Sequence, residues 1–391
     1  MELIGVVGAG TMGAGIAQVA LEYGHEVVLH DVDEVAVQRG RARIRDGLGR
    51  RAARLGLDAD TIDDWVDARL AGLRQSESLD EVGAEADVVI EAALEDLELK
   101  REIFRALDDA TGSDVVLATN TSALSVGRIA DAVNRSERVI GLHFFNPAPV
   151  MALVEVVASR VTSAKTVGRS VDLVERWGKR AVRSGDSPGF IVNRVNRPFT
   201  LEALAIQEAN PGSVEQIDDA LRADGFPMGP FELMDLIGVD VNLAVATAIW
   251  EGFDRAERFR PSVLQQRLVD EGRLGRKSGN GFYEYDAEGA RLPSHDEGTA
   301  ARQTSPAEIV ERVRVAIAAE AYRARDVDVA SPADIDLALK LGAGHPQGPF
   351  EWVEAHGGPT GFLERLRRLE HFGARFEVPD GLLQEAGLTT R

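Results

Sequence analysis

The sequence predicts a doubly wound α/β domain followed by two tandem all-α domains. Three observations predict it. Strands alternate with helices over the first 185 residues, the pattern turns helical beyond Asp186, and the helical pattern then repeats itself. The expected boundaries are 1–185 for a nucleotide-binding Rossmann-type domain, 186–286 for a helical domain and 287–391 for its degenerate second copy.

Glu2 to Val7 is a short β-branched, apolar run; the loop Gly8-Ala9-Gly10-Thr11-Met12-Gly13 follows, and Ala14 to Tyr23 has helical apolar spacing. Gly24 punctuates, Glu26 to His30 reads as a second strand, and Asp31 ends it. Helical patterns fill Glu34 to Leu55 and Asp60 to Ala71. Asp87 to Glu91, Val115 to Thr119 and Val139 to Phe144 are strand candidates, separated by helices near Leu97 to Asp109 and Ser125 to Val133. Such alternation predicts a parallel sheet covered on both faces. Met151 to Val157 and Ala181 to Arg183, around the helix Ala164 to Trp177, extend that sheet.

After Ser187-Pro188-Gly189 the helix candidates are Phe190 to Ala209, Val214 to Arg222, Pro230 to Leu236, Val239 to Trp250 and Ser262 to Glu271. Asp286 to Thr304 reads as a linker. Beyond it, Ser187 to Val195 is echoed by Ser305 to Val313, Gln216 to Leu221 by Asp334 to Leu339, and Pro227 to Glu232 by Pro346 to Glu351. Three matches in one order, with offsets differing by one residue, identify a duplicated helical domain.

With 391 residues and 44% hydrophobic content, the chain can bury cores of this size. It has no cysteine, which excludes disulfides, thiolate ligands and thiol nucleophiles. No apolar run reaches the roughly 20 residues of a membrane helix, and a strand begins at Leu3, so no leader peptide and a cytoplasmic location are expected. A net charge of −20 argues against nucleic acid or anionic membranes as partners. No metal is implied. An anionic ligand would need a local basic site, and Arg39 to Arg54 offers one, with seven arginines against Asp46. Taken alone, that run is better explained as a solvated helix face; its position just after the second strand favours a phosphate-bearing substrate.

The glycine loop follows a strand and opens a helix. There Gly8 allows a tight turn, Gly10 the approach of phosphates and Gly13 close helix–strand packing, while the N–H groups of Thr11 and Met12 start the helix. Asp31, eighteen residues after Gly13, can accept both ribose hydroxyls and would repel a 2′-phosphate. The cofactor is therefore expected to be NAD.

His143 lies at the carboxyl end of a predicted strand, where open α/β sheets place their ligands, and is suited to take a proton from an alcohol. Glu155 interrupts the apolar run Leu153 to Val157, so it either faces outward or is buried with a partner. If that partner is His143, the carboxylate fixes the imidazole tautomer and stabilises the imidazolium.

Taken together, the Gly8 loop, Asn120-Thr121-Ser122, His143-Phe144-Phe145-Asn146-Pro147, Glu155, Ser187 to Arg194 and Gly279-Asn280-Gly281-Phe282-Tyr283 resemble the L-3-hydroxyacyl-CoA dehydrogenase family, short-chain 3-hydroxybutyryl-CoA dehydrogenases included. The resemblance runs to about Tyr285. It implies NAD-dependent oxidation of a (3S)-3-hydroxyacyl-CoA, an acyl-CoA thioester partner, His143 as general base and Glu155 as its electrostatic partner. It also implies that Ser122 and Asn193 contact the reacting oxygen or thioester, and that Glu95, Lys100, Asn120, Ser122, Asn146 and Lys277 contact NAD.

Read from the residues alone, Ser122 is equally a turn residue and Asn193 a polar helix-start residue. Coenzyme A would lie against the arginine-rich helix, where Arg54 can pair with phosphate; Gly47 departs from the family by lacking a hydroxyl. Relatives acting on CoA-free 3-hydroxy substrates such as L-gulonate or carnitine, and a non-catalytic NAD-binding protein, are the alternatives. The second helical copy carries Glu311 where the first has Asn193, so it is expected to supply not a second site but the contact a homodimer would make. The chain is then a pseudo-dimeric monomer, ordinary homodimerisation being the alternative.

Overall fold

The computed structural model describes residues 2–209, 214–293 and 304–387. The chain divides into two compact units, Met1–Ser187 and Pro188–Arg391.

The first unit is an eight-stranded sheet with strands β1 (Leu3–Val7), β2 (Glu26–His30), β3 (Leu73–Ser76), β4 (Val88–Glu91), β5 (Val116–Thr119), β6 (Val139–Phe144), β7 (Leu153–Ala158) and β8 (Arg180–Gly185). Its helices are α1 (Thr11–Glu22), α2 (Glu34–Arg54), α3 (Ala59–Leu70), α4 (Leu79–Glu85), α5 (Leu97–Ala110), α6 (Val126–Ala130) and α7 (Ala164–Arg176). The strand order β3-β2-β1-β4-β5-β6-β7-β8 reverses direction between β1 and β4, which opens a ligand crevice above their carboxyl ends. β1, β4, β5 and β6 are buried along nearly their whole length, as a sheet covered on both faces requires.

Two features depart from the sequence reading. The segment 73–85, with its mixed polar composition, holds β3 and α4, which apolar periodicity did not reveal. And β6 pairs with β7 antiparallel rather than parallel. Only 145–152 joins them, and a parallel crossover needs about a dozen residues or more.

The second unit is helical: α8 (Val192–Val195), α9 (Arg197–Ala209), α10 (Val214–Ala223), α11 (Pro230–Ile237), α12 (Val239–Gly252), α13 (Val263–Asp270), α14 (Pro306–Asp326), α15 (Pro332–Gly342), α16 (Pro349–Ala355), α17 (Gly358–Leu369) and α18 (Asp380–Glu385). Its fold repeats as its sequence does. Asp218 accepts hydrogen bonds from the N–H groups of Phe231 and Glu232 at 3.0 Å each, and Asp336 from Phe350 and Glu351 at 2.8 and 3.1 Å. These carboxylates satisfy orphan donors at the start of α11 and α16. A side chain on Gly229 would strike Asp218, and one on Gly348 would strike Asp336. The linker expected over Asp286–Thr304 lies largely outside the described residues.

The copies touch reciprocally. Arg194 pairs with Glu320 at 2.7 Å, and Arg312 donates to Glu202 at 2.8 Å. Phe226 meets His345, its own counterpart, with ring centroids 4.9 Å apart. The short turns Glu257–Phe259 and Ala374–Phe376 send Arg258 to Glu320 and Arg375 to Glu202, at 3.1 and 2.6 Å. Residue i meeting j while j's copy meets i's is the signature of a two-fold interface.

Candidate active site

The three loop glycines have different reasons to be glycine. Gly8 has φ 101° and donates its N–H to His30 O, and a Cβ there would lie 2.6 Å from Ala92 O. A Cβ on Gly13 would lie 1.8 Å from Gly8 O, whereas one on Gly10 would meet nothing within 4 Å. The fold requires Gly8 and Gly13. Gly10 instead keeps open a space above the first turn of α1, which has no side-chain cap and no acidic residue. That cradle suits a pyrophosphate, with the positive helix end behind it. Asp31 Oδ2 accepts from Ala9 N at 2.7 Å, fixing the carboxylate beside the loop.

The ends of β4 and β5 hold a polar network. Glu91, fully buried, accepts from Lys100 Nζ at 2.6 Å, Thr119 Oγ1 at 2.7 Å and Ala93 N at 2.6 Å. Lys100 is itself buried and lies 3.5 Å from Glu95 Oε2. Glu95 Oε1 accepts from Thr121 Oγ1 at 2.6 Å, Ser122 N at 2.9 Å and Ala123 N at 3.2 Å. Burial pushes the Glu95 carboxyl up, but the Thr121 hydroxyl, the Lys100 charge and the two N–H donors outweigh it and hold it below the usual range. The network shapes the turn that carries Ser122. Glu91 was missed in the sequence, although a carboxylate ending an apolar strand gives the same signal that singled out Glu155.

His143 and Glu155 are register partners on β6 and β7, so their side chains share one face of the sheet. His143 Nδ1 and Glu155 Oε2 are 2.6 Å apart, with 6% and 0% of the residues exposed. Glu155 thus belongs to the buried alternative, with Nδ1–H donating to its carboxylate. Asn120 Oδ1 accepts from Phe144 N at 2.9 Å, tying the end of β5 to the strand that carries His143. Asn146 is exposed in the turn after β6.

In the helical unit, Asn193 sits half-buried in α8, and Lys277 pairs with Asp240 at 2.5 Å. On α2, Arg54 is exposed and donates to Arg50 O. Arg45 pairs with Asp67 and Arg51 with Glu22, whereas Arg39, Arg41, Arg43 and Arg50 are exposed without an ion pair among the described residues. Gly47 faces the buried Gln18, whose Oε1 would lie 1.9 Å from any Cβ there. A side chain at this position, which the family resemblance led one to expect, would displace the Gln18 amide.

Two family models match. The NAD binding domain of 3-hydroxyacyl-CoA dehydrogenase covers residues 3–187, and the C-terminal domain of 3-hydroxyacyl-CoA dehydrogenase covers 189–285 and again 309–378. The chain belongs to the 3-hydroxyacyl-CoA dehydrogenase family. It is 36% identical to 3-hydroxyadipyl-CoA dehydrogenase of Escherichia coli, over 99% of this chain and 98% of that one. It is 41% identical to the mitochondrial hydroxyacyl-coenzyme A dehydrogenase of Rattus norvegicus, over 72% of this chain and 90% of that one. Among solved structures, 3-hydroxybutyryl-CoA dehydrogenase of Escherichia coli superposes with a TM-score of 0.87 at 35% identity, over 98% of both chains.

The dehydrogenase is accordingly an NAD-dependent oxidoreductase acting on a 3-hydroxyacyl-CoA-like substrate through a His/Glu pair. Its Rossmann-type domain precedes two helix-rich domains, and the double match of the C-terminal model restates the internal repeat. Among the described residues no single helix of the dehydrogenase is long and apolar enough to cross a membrane.

Proposed function

We propose that the dehydrogenase interconverts a short-chain (3S)-3-hydroxyacyl-CoA, of the 3-hydroxybutyryl-CoA type, and its 3-oxoacyl-CoA, with His143 as general base. The observation that carries this reading is the buried His143–Glu155 pair. With Nδ1 held by Glu155, proton exchange falls to Nε2, which takes the proton from the C3 hydroxyl as the carbonyl forms. Bound NAD supplies the acceptor for the hydride that leaves C3. Ser122 and Asn193 donate to the reacting oxygen or thioester carbonyl. Gly8, Gly10, Thr11, Met12 and Gly13 hold the pyrophosphate, Asp31 the ribose, and Glu95, Asn120, Asn146 and Lys277 border the cofactor. The deep burial of Lys100 favours holding Glu91 and Glu95 in place over touching the cofactor directly. The unpaired arginines of α2, with Arg54, offer cations to the phosphates of coenzyme A.

Loss of NADH absorbance with acetoacetyl-CoA tests the reading. Turnover that vanishes in His143→Gln supports it; turnover of L-gulonate or carnitine with none of any thioester overturns it.

We further infer that the copies 186–286 and 287–391 close a pseudo-dimer within one chain and that only the first serves an active site. Reciprocal buried ion pairs support the first part. Glu311, in the place of Asn193, is gripped by Arg365 and Arg368 at 2.9 and 2.8 Å, which supports the second.

A further inference from the structure

Arg197 opens α9 with 6% of its surface exposed. Among the described residues its guanidinium makes no hydrogen bond or ion pair, and its Nε is buried without a partner. Burial pushes it down to about 10, with no neighbouring charge to offset the loss of water. A buried cation without a counter-ion is costly, and folds seldom retain one without a use for it.

The duplication supplies an internal control. Arg197 corresponds to Val315, which is fully buried in the apolar core of the second copy beside Trp352 and Phe362. The helical fold therefore accepts an isopropyl group at this position, and the first copy carries a guanidinium for a reason other than folding. The two copies also differ at the residue four places earlier, which is Asn193 in the first and Glu311 in the second. The copy that carries Asn193 is the one that carries the arginine. The segment Ile191–Arg197 stays helical or nearly so, with Asn196 in the α region, so Arg197 lies about one turn beyond Asn193 on the same side.

We propose that Arg197 receives a carboxylate at the far end of the acyl chain, so that among short-chain 3-hydroxyacyl-CoA substrates the protein favours the mono-CoA thioester of a dicarboxylic acid over a chain ending in methyl. The inference rests on the reading of Asn193 as a contact of the reacting end. One helical turn spans about 5.4 Å. In a six-carbon chain, three C–C bonds carry the terminal carboxyl carbon roughly 4 Å beyond C3. A guanidinium one turn from the group at C3 is therefore within reach, and its planar fork matches a carboxylate in two hydrogen bonds. A chain ending in methyl leaves that cation unpaired; a chain ending in carboxylate pairs it.

The test compares kcat/KM for 3-hydroxyadipyl-CoA and 3-hydroxyhexanoyl-CoA, which share carbon number and differ at the terminus. The wild-type protein is expected to favour the carboxylated substrate by at least about tenfold, as for truncation of one desolvated ion pair. In Arg197→Met the ratio collapses towards one, while Arg197→Lys keeps part of it. Arg197→Met should also melt no lower than wild type, since it removes an unpaired buried charge. Equal turnover of the two substrates by the wild-type protein overturns the inference without any variant. A ratio unchanged in Arg197→Met overturns it as well. Failure to oxidise either thioester would instead overturn the proposed function on which it rests.

Discussion

Arg194 donates to Glu320 across 2.7 Å, and the repeats of these residues reverse the arrangement, Arg312 donating to Glu202 at 2.8 Å. All four side chains are buried. Glu320 also has Arg258 at 3.1 Å and Arg323 at 3.6 Å, so one carboxylate faces three guanidinium groups.

Removing that carboxylate strands buried cations. Glu320→Ala should destabilise the helical unit by about 3–5 kcal/mol, the usual cost of breaking a buried pair from one side. Urea unfolding measures it, and sedimentation of the wild-type protein tests the arrangement behind it. A single species of 42.2 kDa is expected; an obligate dimer joined through the first copy would remove the pseudo-dimer.

The catalytic pair makes a second prediction. Glu155→Gln keeps the shape but lets the amide meet His143 as donor or acceptor, so the tautomer is no longer fixed. The expectation is a fall in kcat of about 10²–10⁴ with NADH affinity retained. Fluorescence titration of NADH beside steady-state rates separates the two; equal losses in both would point to a collapsed site.

The glycine loop predicts a split between binding and stability. Gly10→Ala adds a methyl group to open space and should leave the melting temperature within a few degrees while weakening NADH. Gly13→Ala drives a methyl group into Gly8 O and should lower stability by several kcal/mol, the outcome of overpacking against backbone that cannot yield. A Gly10→Ala protein that binds NADH normally would remove the phosphate cradle.

His345 predicts a pH dependence. Burial, with the nearby Arg314 charge, pushes it down to about 3, and its Nε2 lies 2.7 Å from Asn196 Oδ1, to which the neutral ring donates. The folded state binds this proton less readily than the unfolded chain. The contribution is therefore complete above about pH 6.5 and is lost as the pH falls, at about 1.4 kcal/mol per unit, or about 2 kcal/mol by pH 5. Asp218 and Asp336, pushed up to about 6 chiefly by burial, act in the opposite sense between about pH 4 and 6. The difference between wild type and His345→Phe isolates the histidine. Phenylalanine is the residue at its repeat, Phe226, and stability curves that stay parallel from pH 7 to 5 would refute the assignment.

Much of this molecule is readable from its residues because strand, loop and helix signals agree along the first unit. The glycine loop, Asp31 and His143 stand where strand ends put them, and Glu155 stands inside β7 as the register partner of His143. What escaped were features set by partners distant in sequence. β3 has the exposed residues Arg74 and Gln75 at its centre and lies at the sheet edge, so burial left little apolar pattern to find. The reversal at β7 depends on a short connection rather than on strand composition. Arg197 is invisible in a chain with many arginines until burial shows it to be alone.

Joining the two helical copies in one chain has a consequence for how the protein can change. In a homodimer each substitution appears on both sides of the axis at once, so no position can become charged on one side and apolar on the other. Here Arg197 faces history separately from Val315, and Phe226 separately from His345. Covalent tandem arrangement frees each half to change on its own, while the shared ion pairs keep them matched.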